Sequence, residues 1–133
     1  MIAVLCTLIF YGCSSSGSPG DKSSLTGTEW VMFEMKGIKY EPPGDEKVTI
    51  TFDGTEKRIQ GKAPCNTYGS TYEKSGNKLS IGSVFSTEMA CDNLKTETDY
   101  YKLLTEVVSH RISGDKLYLF DSTNTIILRF RAK

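Results

Sequence analysis

VTITFDG, residues 48–54, sets Val48, Ile50 and Phe52 on one side of an extended chain and Thr49 and Thr51 on the other, then breaks at Asp53-Gly54, a hairpin signal. A period of two fits a half-buried strand and misfits a helix, whose apolar stripe recurs every three to four residues. The same pattern repeats on both sides. Residues 28–35 (TEWVMFEM) alternate Trp30, Met32 and Glu34 against Glu29, Val31, Phe33 and Met35, and end at Lys36-Gly37. Residues 57–62 read as the return strand after Asp53-Gly54. Residues 68–73 and 78–81 flank the turn Ser75-Gly76-Asn77, and 84–87 extend the sheet. Residues 116–120 (KLYLF) and 126–130 (IILRF) flank Asp121-Ser122-Thr123-Asn124 and read as a closing pair.

One segment departs from this period. Tyr100, Leu103, Leu104, Val107 and Val108 recur at helical spacing, which predicts a helix over about residues 96–108. Thr96 is the expected N-cap, Glu97 and Asp99 lie in the negatively charged first turn, and His110 with Arg111 follows the last turn, where cations suit the helix dipole. Several antiparallel strands and one amphipathic helix define an α+β domain: a strongly curved antiparallel sheet or partial β-barrel with the helix packed on it.

The 133 residues suit one domain, and 38% hydrophobic with 24% charged residues is the composition of a folded chain. Sixteen basic residues balance sixteen acidic ones, and no three basic residues stand in a row. Nucleic-acid binding, which needs a basic stripe, is set aside.

Residues 2–11 (IAVLCTLIFY) form an uncharged apolar run of signal-peptide length, well short of the ~20 residues that span a bilayer. Gly12-Cys13 and a Ser/Gly-rich stretch follow, and the first charged side chain is Asp21. The arrangement resembles the lipobox of bacterial lipoproteins, in which the cysteine thiol is acylated. The expected organisation is a signal peptide over 1–12, a flexible tether over 13–24 beginning at lipidated Cys13, and a folded domain over 25–133. The rival reading makes residues 2–12 a first strand or helix of the domain.

Of four cysteines, Cys6 falls in the leader and Cys13 at the processing site, leaving Cys65 and Cys91 in the domain. In an oxidising compartment such a pair is expected to be joined; the alternative is two buried thiols acting as small apolar side chains.

Leu25-Thr26-Gly27-Thr28-Glu29-Trp30, then Cys65-Asn66-Thr67-Tyr68-Gly69 with Tyr72, then Ser86-Thr87-Glu88-Met89-Ala90-Cys91, and finally Glu97 with Tyr100 and Gly114-Asp115-x-Leu117-x-Leu119 occur in order. Together they resemble the META domain family, whose bacterial representatives include the heat-shock-associated lipoprotein HslJ. The resemblance spans residues 25–130. It implies a compact β-rich fold with one helix, carried on a stress-linked lipoprotein anchored at the outer membrane of the bacterial cell envelope, and it implies no reaction.

Catalytic patterns are sparse. His110 is the single histidine, no Gly-x-Ser-x-Gly elbow occurs, and neither zinc-ligand spacing nor a calcium loop is present. No catalytic residue, metal or cofactor is therefore expected. The loop carrying Asn66 and Tyr68, with Tyr72 beyond it, is the candidate binding loop; the competing reading has Asn66 satisfying backbone amides while both tyrosines pack on the sheet. The leading functional expectation is a non-catalytic envelope module that binds or stabilises an envelope protein partner. The alternatives are a carrier of a small apolar ligand or lipid in the groove between sheet and helix and, remotely, a carboxylate-based hydrolase using Glu88, Glu97 or Asp115.

Overall fold

A computed structural model describes residues 23–92 and 94–133. The expected leader, Cys13 and residues 13–22 of the expected tether lie outside the described residues. Among the described residues the chain forms β1 (Glu29–Met35), β2 (Ile38–Lys39), β3 (Thr49–Asp53), β4 (Arg58–Lys62), β5 (Thr67–Ser75), β6 (Lys78–Ile81), β7 (Phe85–Ser86), α1 (Leu94–Glu106), β8 (Ser109–Ser113), β9 (Lys116–Phe120) and β10 (Ile126–Ala132).

The strands are antiparallel neighbours in the order β10-β9-β8-β6-β5-β4-β3-β1-β2, with β7 added beside β5. β10 also pairs with β1, yet β6 meets β8 through the single register pair Lys78 and Ser109. The result is a strongly curved sheet with one weak seam, α+β in class and not a regular closed barrel. No helix among the described residues is long and apolar enough to cross a membrane.

Alternation decides what is inside. Ile50 and Phe52 of β3 are buried, as are Trp30 and Met32 of β1. The expected phase of β1 then fails, because Met32 pairs with Phe130 while Glu34 pairs with Arg129, leaving Phe33 as an extra residue. A bulge reverses which face later side chains take. Glu34 thus leaves the core side and pairs with the Arg129 guanidinium at 2.6 Å, while Met35 packs against the core. The following turn, Lys36-Gly37, holds both residues at positive φ (51° and 75°), the type I′ geometry that joins β1 to the short β2.

Tyr100, Leu103 and Leu104 of α1 are fully buried, as is Val107 just after it. Two expectations for this helix are corrected. It begins at Leu94, so Thr96 lies within the helix and is not its cap. It ends at Glu106, and Val108 is 45% exposed because its backbone has already joined the sheet: its amide donates to the Phe120 carbonyl and its carbonyl accepts the Leu79 amide. His110 and Arg111 accordingly sit on β8 and do not cap the helix. The His110 amide donates to the Asn77 carbonyl at 2.9 Å.

Candidate functional site

The loop after β4 must turn sharply and bury its polar backbone, so each amide there needs a partner. Cys65 and Cys91 are joined by a disulfide with a Cα separation of 6.1 Å, tying this loop to the segment after β7. Helix α1 supplies the remaining partner. Glu97, 4% exposed, accepts the Cys65 amide at 3.1 Å and the Asn66 amide at 2.7 Å on Oε1, and the Asn66 carboxamide at 2.7 Å on Oε2. The Asn66 side-chain oxygen in turn accepts the Thr87 hydroxyl at 2.9 Å and the Met89 amide at 2.7 Å. One carboxylate and one carboxamide thus lock three chain segments together.

Burial by itself raises the Glu97 carboxyl, but the Asn66 amide, the Asn66 carboxamide and the Cys65 amide outweigh it and hold the group below the usual carboxylate range. An ionised, fully engaged carboxylate is poorly suited to general acid chemistry. The Tyr101 hydroxyl is buried within electrostatic reach of Ser86 and Glu97, outside hydrogen-bond geometry to any described residue. Burial is the main reason its pKa is pushed up to about 12; Ser86 opposes the shift and the Glu97 charge adds to it.

Tyr68 faces the helix from β5. Its hydroxyl donates to the Thr49 carbonyl at 2.8 Å and lies 2.6 Å from the Tyr100 hydroxyl. Both phenols are pushed well above the ordinary tyrosine range, first by burial. Gly61 on β4 makes this approach feasible, since a Cβ there would overlap the Thr49 carbonyl and crowd the Tyr68 hydroxyl.

Of the three residues expected in a binding loop, Asn66 lines a groove together with Glu97 and Tyr101. Asn66, Tyr68 and Tyr72 are all buried, and Tyr72 lies four residues beyond Tyr68 on β5, donating to the Asp53 carbonyl at 3.0 Å and stacking edge-on with Phe52. They line different concavities, Asn66 one beside α1, Tyr68 one beside β3 and β4, and Tyr72 one beside β8. Glu97, which the sequence places in the charged first turn of the helix, is the hub of these contacts. Its partners are 31 and 32 residues away, and the one sequence signal for it is its place among the ordered motifs.

What remains open to solvent is a shallow groove of about 440 Å³ over this locked core, lined by Asn66, Ser86, Met89, Leu94, Glu97 and Tyr101 among others. Phe85 on β7 lies outside it: it pairs with Gly69, its ring covers that glycine, and alternation along the strand sets it on the face opposite Ser86. Met89 and Leu94, 56% and 42% exposed, are the large apolar side chains that line the groove. Of the other carboxylates named from sequence, Glu88 lines the groove and Asp115 lies near Arg131 at 3.7 Å. No group of three or more His, Cys, Asp or Glu side chains able to hold a metal occurs among the described residues. The interface between sheet and helix, where the alternative carrier reading places an apolar cargo, holds Tyr100, Leu103 and Leu104.

The fold and this lock define a disulfide-tied α+β domain whose helix carboxylate organises a loop. The chain belongs to the META domain family, whose model matches residues 23–133. Its fold is similar to that of a protein from Burkholderia xenovorans solved by NMR, with a TM-score of 0.65, 23% identity and coverage of 82% of this chain and 83% of that one. It is similar also to a DUF4847 family protein from Bacteroides vulgatus ATCC 8482 solved by crystallography, with a TM-score of 0.60, 11% identity and coverage of 80% and 93%. Among curated proteins, none matches the chain.

Proposed function

We propose that this META domain is a non-catalytic module of the bacterial cell envelope, held at the outer membrane through acylated Cys13, that binds and stabilises a partner protein. The observation that carries the reading is the exposed pair Met89 and Leu94 lining the groove beside the disulfide-locked loop. Apolar side chains clustered on a rigid surface offer contact area at little ordering cost, the usual make-up of a protein-docking centre. The engagement of both Glu97 oxygens supports a structural role for that carboxylate over a hydrolytic one. The disulfide accords with an oxidising compartment.

A photo-activated crosslinking residue at Met89, in the full chain expressed in its native host, tests the reading. The expected result is one reproducible protein adduct that is absent when the probe stands at exposed Lys102 on α1 and is lost in Leu94→Ser. Equal adducts from both positions, or none from Met89, would count against the docking face. Intact mass of the native protein tests the anchor, since acylation adds mass at Cys13 and an unmodified Cys13 overturns that part.

A further inference from the structure

A second cavity, of about 550 Å³, lies away from the docking face, between the turn after β3, the strands β5 and β8, and residues 23–26. Three basic side chains reach its lining from separate elements: Lys57 from the turn, Lys74 from β5 and His110 from β8. No carboxylate lines it among the described residues. The Lys57 ammonium lies 5.9 Å from the centroid of the Tyr72 ring, a cation held over an aromatic face at the cavity wall. The Ser24 and Thr26 hydroxyls, 3.4 Å apart, add neutral hydrogen-bonding groups. Gly54 keeps this wall open, since a Cβ there would come within 3.1 Å of the Thr26 methyl group.

Glu56 and Glu73 line the adjoining surface beside Lys57 and Lys74 but stay outside this cavity. Lys74 acts electrostatically on His110, so the two share one environment. Asp53, which acts on the Tyr72 phenol from outside the lining, spends Oδ1 on the Thr55 and Glu56 amides at 2.8 and 3.1 Å. His110 Nδ1 lies 3.2 Å from the Asn77 carbonyl, which fixes the proton on Nδ1 and leaves Nε2 free to take one up. Two lysines lining one cavity with hydroxyls and an imidazole match a compact anion carrying several acceptor oxygens better than a flat carboxylate, for which a bidentate arginine is the usual partner.

We infer that this cavity is an anion-binding site for a phosphate group, held by Lys57, Lys74 and His110. The group could be carried by free phosphate or by the phosphodiester headgroup of an anionic lipid, and the experiment separates the two.

The test follows the His110 imidazole by NMR in the disulfide-bonded full chain while inorganic phosphate, or in a second arm glycerophosphoglycerol, is added at constant ionic strength against chloride. The expected result is a saturable shift of the His110 resonance with a raised imidazole pKa. In the double variant Lys57→Asn with Lys74→Gln the affinity falls at least about tenfold; asparagine is chosen because it tolerates the left-handed backbone of Lys57 (φ 56°). The variant's unperturbed disulfide and amide spectrum show that it has folded. Saturation by inorganic phosphate identifies a free-phosphate site, and saturation by the diester alone identifies a headgroup site. No saturable shift in either arm beyond the chloride control, or a shift unchanged in the folded double variant, overturns the inference.

Discussion

Glu97 holds Asn66 from two sides, with Oε1 accepting its backbone amide and Oε2 its carboxamide, each at 2.7 Å. Glu97→Gln exchanges one acceptor for a donor facing another donor, and an unmatched buried pair of this kind costs roughly 1–3 kcal/mol. Urea unfolding of the oxidised variant should show a lower midpoint at an unchanged slope. The acid limb follows from the same contacts. The folded-state pKa lies below the ordinary 4.5, so this contribution is complete above that value and is lost as pH falls through the folded pKa. Stability of the native chain should therefore drop below about pH 4.5 more steeply than that of Glu97→Gln.

The disulfide spans 26 residues in sequence, for which restriction of the unfolded chain gives a stabilisation of roughly 3–4 kcal/mol. The double variant Cys65→Ser with Cys91→Ser should lose about that amount in equilibrium unfolding. Because Glu97 also binds the Cys65 amide, the two perturbations share a loop and should not add. Strict additivity in the combined variant would show that the loop is held independently by each.

Tyr68 and Tyr100 form a buried hydroxyl pair in which Tyr68 also reaches the Thr49 carbonyl. Tyr68→Phe strands the Tyr100 hydroxyl and the Thr49 carbonyl and should cost about 1–3 kcal/mol. Adding Tyr100→Phe removes one stranded group, so the double variant should be less destabilised than the sum of the singles. A thermal or urea double-mutant cycle measures that coupling.

His110 should leave its own mark on the pH profile. Burial depresses its imidazole below 6.5, the Asn77 carbonyl opposes this and Lys74 adds to it. The unfolded chain therefore takes up this proton more readily, and the contribution to stability is full above pH 6.5 and declines as pH falls toward the folded value. His110→Asn should flatten the stability profile from about pH 7 to about pH 5 in chloride buffer. An unchanged slope over that window would remove His110 as its source.

Strands that alternate and end at glycine or asparagine turns were legible in the sequence because the signal is local: β3, β5, β6, β9 and β10 all appear where their patterns place them. β8 was missed because Ser-His-Arg-Ile-Ser has one large apolar residue and takes its place from pairing with β9. The helix stripe was read, but its ends were not, since the chain enters the sheet at Val108 before the apolar pattern is exhausted. The reversal at Phe33 depends on how β1 meets β10, a partner nearly a hundred residues away. The Glu97 lock is signalled only by the place of Glu97 and Asn66 among the ordered motifs, and the Lys57, Lys74 and His110 cluster by nothing in the sequence. Each joins residues from distant segments, and neither forms a run or a fixed spacing.

The pairing of β1 with β10, from Trp30 beside Ala132 to Met35 beside Leu128, sets the order in which this chain can mature. During synthesis the first strand emerges long before the last. Until residues 126–132 arrive, Trp30 and Met32 lack part of their cover and one edge of β1 has no neighbour. A ribosome stalled upstream of that point would hold an unfinished sheet with a sticky margin, a natural substrate for a chaperone. The nascent protein therefore keeps one edge of β1 uncovered until its first and last strands pair.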